Sequence, residues 1–422
     1  MSGLRTYLDH NATSPMRPEV RDAMIAAMAV NGNPSSVHTE GRQARALIDD
    51  AREQVGALVG AQADEVVFTS GGSEANNYVL HQSWGSVIVL ATEHDSIMTT
   101  ARNLRAQVSI LPVDRSGRGD MAVLGRLMAA LVTRDGPMLI SIQMANNETG
   151  VLQDLGAIRA VIAAFIEAND PRNEDGSVKR IIFHTDAVQA LGKIPVDFNG
   201  LGVDAMSLSA HKIGGPKGVG ALIRRKNAPL VPFIKGGGQE HNHRAGTENV
   251  AAIAGFGKAC ALAQSEVFSF EVASSEIASS DGASLDIASV DKATGSKFKG
   301  LRDRLEREIT TLDFEGAGEV RIIASEAPRL PNTTAITFPG VLAETQVIGF
   351  DLNGIAISAG AACSSGKVGR SRVLEAMQIH DNIADATIRV SLGWNSTDED
   401  VDRFLAAVPR VIGNKSKATH AA

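Results

Sequence analysis

The chain has 422 residues, 44% of them apolar, enough to bury more than one core. Its 41 basic and 48 acidic residues leave a net charge of −7, which argues against nucleic acid as a direct partner. Two cysteines exclude a disulfide framework or a cysteine-rich metal site, and no apolar run approaches the ~18 residues of a membrane helix. The opening MSGLRTYLDHNATSP lacks the apolar stretch of a signal peptide, so a cytoplasmic protein is expected.

In chain order, EVVFTS (65–70), SVIVLAT (86–92), MLISIQMA (138–145), RIIFHTDA (180–187), AMSLSAH (205–211) and GVGALIRR (218–225) are predicted strands, apolar throughout. Longer segments with helical spacing separate most of them, such as LGAIRAVIAAFIEAN (155–169). This alternation predicts an α/β fold with a mostly parallel sheet between helices, whose ligands sit at the carboxyl ends of the strands. Four polar clusters fall there: SGGSE, EHDS, NNETG and TDAVQ. Beyond residue 256 the units shorten, and TAITFPG (334–340) and IRVSLG (388–393) are expected strands of a smaller α+β domain. The expected division is a large domain over 15–256 and a small one from 1–14 with 257–422. From Glu266 six five-residue units run EVFSF, EVASS, EIASS, DGASL, DIASV, DKATG; that period fits neither helix nor strand, and an exposed surface loop over 266–295 is expected.

Three motifs carry chemistry. In SLSAHKIGGPKG, Lys212 follows a strand and precedes a glycine-rich turn; an amine facing a crevice is a nucleophile toward carbonyls. In FTSGGSEANN, glycines and Ser73 at a strand end open a helix, where free N–H groups suit an anion. In FHTDAVQALGK, Asp186 ends a strand, placed to keep a pyridine nitrogen protonated. Lysine, anion cradle and aspartate together describe a pyridoxal phosphate site. Cys260, inside AAIAGFGKACALA, is expected in a core. His241 and His243, in GGGQEHNHRAGT, are expected to be solvated loop residues without a metal.

The chain resembles the cysteine desulfurases of the nitrogen-fixation and iron–sulfur assembly type, which are fold type I pyridoxal phosphate enzymes. TSGGSEANN, EHDSI, ANNETGVLQ, DAVQALGK, SAHKIGGPKG, RAGTENV and SAGAACSSG occur in that family's order. The resemblance implies that Lys212 holds the cofactor covalently and later moves the substrate Cα proton. Gly72, Ser73, Ser209 and His211 would hold its phosphate, with Thr247 reaching the phosphate of the neighbouring subunit in a homodimer. Asp186 would pair with the ring nitrogen, Gln189 would contact the ring hydroxyl, and His94 would stack on the ring. Asn147 and Arg389 would hold the carboxylate of L-cysteine, Arg389 through a two-pronged contact.

The resemblance also gives a reason for Cys363 to lie on SAGAACSSGKVG. The thiol would take sulfur from the substrate as a persulfide while alanine leaves, then pass it to an iron–sulfur scaffold or another acceptor protein. A segment of Gly, Ser and Ala suits a thiol with two destinations. A free thiol is only about 3% thiolate at pH 7, so activation is expected, with His94 or the cofactor adduct as candidate bases. No resident metal is implied; Cys363 would ligate cluster iron only in passing. A selenocysteine lyase or an aminotransferase is the alternative within this superfamily, and transamination needs no thiol.

Overall fold

A computed structural model of the chain describes residues 5–274, 297–312, 319–360 and 370–413, with the backbone alone for 267–274. The strands are β1 (Thr6–Tyr7), β2 (Val66–Thr69), β3 (Ser86–Leu90), β4 (Gln107–Leu111), β5 (Met138–Ser141), β6 (Ile181–Asp186), β7 (Ala205–Ser209) and β8 (Gly220–Arg224). They are followed by β9 (Arg321–Ile322), β10 (Thr333–Thr337), β11 (Ile355–Ala356), β12 (Ser358–Ala359) and β13 (Thr387–Ser391). The first six helices are α1 (Pro18–Met28), α2 (Thr39–Leu58), α3 (Gly72–Leu80), α4 (Asp95–Arg102), α5 (Met121–Leu131) and α6 (Leu155–Asn169).

A seven-stranded sheet in the order β2-β8-β7-β6-β5-β3-β4 forms the larger lobe, and β8 alone runs against the others. Alternate residues of each strand feed opposite cores, as the pleat requires. Ile88 and Leu90 join Phe183, Met206 and Leu208 on one face, under α2, α5 and α6. Val87 and Val89 join Leu139, Ile182 and Leu222 on the other, under α3 and α4. Burial on both faces explains the unbroken apolar runs that mark β3 and β5 in the sequence. The strand β4 has no counterpart among the expected strands. It lies at the sheet edge with Gln107 and Ile110 exposed, so its QVSIL carries no such run.

The smaller lobe holds the sheet β12-β13-β10-β9, and its core gathers Leu8, Ile336, Phe338, Ile388, Val390 and the stacked pair Phe350 and Phe404. The N-terminal segment belongs to both lobes. Its β1 pairs in parallel with β11, and His10 N–H donates to Ser391 O. A few residues later Ser14 N–H donates to His211 O and Arg17 N–H to Gly214 O, in the larger lobe.

The helix Val250–Ser274 runs through position 256, and its Phe256, Ala259, Cys260 and Ala263 pack in the large core. Cys260 is fully buried and burial pushes its thiol up, out of the reactive range. The backbone stays helical through the first units of the five-residue repeat, where a loop was expected. A helix already propagated by the apolar run 251–263 adds a bond per residue at low cost. Glu266, the first repeat residue, is drawn inward by both guanidinium nitrogens of Arg17 at 2.5 and 2.7 Å. Residues 275–296 lie outside the described residues.

One buried ion pair sets the path of the loop after β8. Arg52 donates to both carboxylate oxygens of Glu240 at 2.8 and 2.9 Å, and Phe68 N–H adds a third bond at 2.8 Å. Glu240, His241 and Asn242 all have positive φ (49°, 53° and 66°), a conformation costly for residues with a side chain. The pair is 5% and 2% exposed, so removing one partner strands the other's charge in the core. Arg52→Leu is expected to lower the unfolding free energy by about 3 kcal/mol in a urea titration, and Arg52→Met with Glu240→Gln by less, because no charge is left behind. A loss below about 1 kcal/mol for Arg52→Leu would contradict this.

Candidate active site

The carboxyl ends of β2, β3, β5, β6 and β7 converge on a cavity of about 200 Å³. Gly72, Ser73, His94, Asn147, Asp186, Gln189, Ser209, His211 and Lys212 all line it. Nine residues expected from the sequence to serve one site thus meet in one place. Arg389 stands just behind, fully buried on β13, donating to Asn147 O at 2.9 Å and to Asp9 Oδ1 at 2.8 Å. Its Nε–H is buried with no partner among the described residues. Thr247 does not line this cavity; it is exposed beside Thr69, Ser70, Gly218 and Arg244. Cys363 lies outside the described residues.

Local geometry explains each placement. Gly71, at φ 153° and ψ 176°, adopts a conformation open in practice only to glycine, and turns the chain from β2 into α3. The first N–H groups of α3, from Gly72 and Ser73, have no partner within the helix and sit at the cavity wall. A Cβ on Gly72 would fall 2.7 Å from Val188 Cγ2, so glycine lets the helix end sit against the Val188 side chain that also lines the cavity. With the hydroxyls of Ser73 and Ser209 and the ring of His211, this is a donor set suited to a phosphate. His211 Nδ1 contacts Thr13 Oγ1 at 3.2 Å, and burial followed by the nearby Lys212 pushes the ring down to about 4.

Asp186 Oδ2 accepts from Asn76 Nδ2, on α3, at 2.7 Å, and Oδ1 from Val188 N–H at 2.9 Å. Lys212, on the short turn after β7, donates from Nζ to Asn11 O at 2.6 Å and Ala12 O at 2.8 Å. His94 caps α4: its Nδ1 accepts from Ser96 N–H at 3.1 Å, so the neutral ring carries its hydrogen on Nε2. Burial pushes His94 below its ordinary range, which keeps the ring uncharged at neutral pH despite the pull of Asp186.

Several lining or supporting residues were missed by sequence reasoning. Asn11, Asn76, Ser96 and Gln143 face the cavity, and all but Gln143 stand within motifs quoted for other residues. Lys193 is the most informative. It is buried, with Nζ donating to Gln189 Oε1 at 2.7 Å and Asn11 Oδ1 at 2.9 Å. Burial, then the nearby cations Lys212 and Arg389, push this amine well below its ordinary value. Because Lys193 holds Gln189 by its oxygen, the amide nitrogen of Gln189 is the end left for the cavity, where it also reaches Asn11 O at 3.1 Å. The DAVQALGK motif held the signal: Gln189 and Lys193 are four apart and share one side of a turn. Among the described residues no group of three or more His, Cys, Asp or Glu could hold a metal ion. His243 instead accepts from Arg224 Nη1 at 3.0 Å.

Comparison with known proteins agrees with this geometry. The model of the class-V aminotransferases matches residues 6–299 and 301–404. The chain is 36% identical over 417 residues to the cysteine desulfurase IscS of Dictyoglomus turgidum, covering 96% of this chain and 94% of that one. It is 38% identical over 418 residues to a cysteine desulfurase of Sinorhizobium fredii, covering 96% of each. The chain belongs to the class-V aminotransferase family, among the cysteine desulfurases. Its fold matches that of a NifS-like protein from Rickettsia africae with a TM-score of 0.80 at 34% identity, over 97% of this chain and 99% of that one.

The family depends on pyridoxal phosphate, and the cavity fits it. A phosphate cradle that a Cβ would close, a buried carboxylate and an amine ring one space. Gly72→Ala is expected to weaken cofactor retention about tenfold or more, because the added methyl pushes the α3 N–H groups off the phosphate. Cofactor absorbance after dialysis against graded pyridoxal phosphate measures this, and wild-type retention would contradict it.

Proposed function

We propose that this chain is a cysteine desulfurase that converts L-cysteine to L-alanine and loads the sulfur onto Cys363. The convergence of Lys212, Asp186 and the α3 cradle on one cavity carries this reading, together with relatives named for the activity. The balance closes without an oxidant: L-cysteine and the Cys363 thiol give L-alanine and the Cys363 persulfide.

Pyridoxal phosphate, when bound, supplies an electron sink that stabilises negative charge next to the substrate amine. The rest falls to the chain. The α3 N–H groups, Ser73, Ser209 and His211 hold the phosphate, and Asp186, fixed by Asn76 and Val188, holds the ring nitrogen. Gln189 presents its amide N–H to the ring hydroxyl because Lys193 occupies its oxygen. Arg389 and Asn147 bind the substrate carboxylate, and the unpartnered Nε–H of Arg389 is a donor waiting for it. Lys212 bonds to the cofactor between turnovers and moves the proton at substrate Cα. His94 would stack on the ring and faces the cavity as an Nε2–H donor, so as found it can donate a hydrogen bond but cannot take a proton from a thiol at that atom.

Thr247 serves the neighbouring subunit of a homodimer in this reading; the exposed Val231, Phe233 and Ile234 on the same loop would be covered there. An iron–sulfur scaffold or another thiol-bearing protein receives the sulfur, and iron enters only as cargo. A reducing compartment follows from the need for a free Cys363 thiol. Among the described residues no helix is long and apolar enough to cross a membrane. The catalytic unit divides into a large lobe over 15–256, extended along the helix to Ala263, and a small lobe from the N-terminal strand and the remaining residues.

Purified protein supplied with L-cysteine and a thiol reductant should release alanine and sulfide. Cys363→Ala should keep pyridoxal phosphate, trapped on Lys212 by borohydride, yet release sulfide only at background. Wild-type sulfide release from that variant would overturn the persulfide route, and failure to trap cofactor on Lys212 in the wild type would overturn the whole reading.

A further inference from the structure

Glu148, beside Asn147 in the NNETG motif, has no role in the chemistry above. It is nonetheless buried. Its Oε2 accepts from Ser371 Oγ at 2.5 Å, a length typical of a hydroxyl bound to an ionised carboxylate. The same oxygen would lie 2.8 Å from a Cβ on Gly360, so the carboxylate sits directly against the chain there. Gly360 follows β12, and Ser371 caps the helix Arg372–Ala376 by accepting from Leu374 N–H at 3.0 Å. One carboxylate therefore touches the chain on both sides of the segment that carries Cys363.

Each stem is also fixed from behind. Upstream, Ser358 and Ala359 pair with Arg389 and Ile388 of β13. Downstream, Arg372 donates to Ala91 O at 2.8 Å and to Glu93 O, and pairs with Asp95 at 3.1 Å. Glu148 joins these two anchorages, and its neighbour Asn147 reaches the substrate side of the same wall.

We propose that Glu148 is a positioning residue for sulfur transfer, clamping the stems at Gly360 and Ser371 so that Cys363 is delivered to the substrate from a fixed base. This rests on the desulfurase reading. The carboxyl is pushed up to about 7, by burial first, with Ser371, Arg389 and Arg372 opposing and Asp95 assisting. These groups face it from β13, α4 and the helix after the segment. The sign follows: above about pH 7 Glu148 is ionised and the charge-assisted bond to Ser371 holds, and it is lost as the pH falls through that value.

The test compares holoenzymes of wild type, Glu148→Gln, Ser371→Ala and Ser371→Thr. Cofactor absorbance, KM for cysteine, kcat for alanine and the rate at which Cys363 gains sulfur (by peptide mass) are read across pH. Glu148→Gln and Ser371→Ala should keep cofactor and KM while kcat and Cys363 sulfuration fall about tenfold. Ser371→Thr, which keeps the hydroxyl, should restore them, and the rate limb near pH 7 should vanish in Glu148→Gln. Unchanged kcat, or a loss confined to KM or to cofactor retention, would overturn the clamp. If Glu148→Gln does not fold, the Ser371 pair decides alone. A wild-type enzyme that forms no alanine would sink the desulfurase reading itself, whereas wild-type turnover with indifferent variants would sink only the clamp.

Discussion

Asn11 uses every hydrogen-bonding group it has, and the two lobes meet through it. Its main-chain oxygen accepts from Lys212 and Gln189, its side-chain oxygen from Lys193 and Asn332. Its amide donates to Asn147 O and Thr333 Oγ1, and its N–H to Ser391 Oγ. Four of the seven partners, Asn147, Gln189, Lys193 and Lys212, follow strands of the large lobe, and the other three, Asn332, Thr333 and Ser391, lie on or beside β10 and β13 of the small one. A buried asparagine with all bonds made is worth more for geometry than for stability, since each bond nets only about 1 kcal/mol. Losing its side chain would leave the Lys193 amine, the Asn332 amide, the Thr333 hydroxyl and the Asn147 carbonyl to find new partners.

That constraint explains why so short a strap can fix so large a site. Residues 9–17 bridge from Ser391 to His211 and Gly214, so the turn bearing Lys212 cannot shift without dragging the small sheet. The buried Arg389 completes the same frame from the other side, through Asp9 and Asn147. Substrate carboxylate and cofactor amine are therefore referred to one rigid assembly, which is what a reaction sensitive to small misplacements requires.

The strand ends were legible because a sheet buried on both faces writes unbroken apolar runs, and each polar residue that interrupts one marks a carboxyl end. Gly72, Asp186 and Lys212 could be read this way, each flanked by its strand. The edge strand β4 could not, since exposure had already broken its pattern. Asn11 was illegible for a different reason. Its value lies in partners up to 380 residues away in the chain, such as Ser391 and Asn332. Composition and periodicity carry no trace of such pairings. The helix through Glu266 was missed because its continuation depends on what precedes it and on Arg17, not on the five-residue spacing.

The placement of charge in the site separates groups that must keep still from groups that must move protons. His94 and Lys193 are pushed toward neutrality by burial, while Glu93, equally buried beside Asp186, is pushed toward its protonated form. Each change removes a charge the interior would otherwise have to solvate. What stays available for charge is the part of the cavity that a dianionic phosphate, a ring cation and a substrate carboxylate would fill. The surroundings are thus quiet so that bound groups supply the field, and Lys212, which donates to two carbonyl oxygens at 2.6 and 2.8 Å, sits where it can exchange those bonds for chemistry.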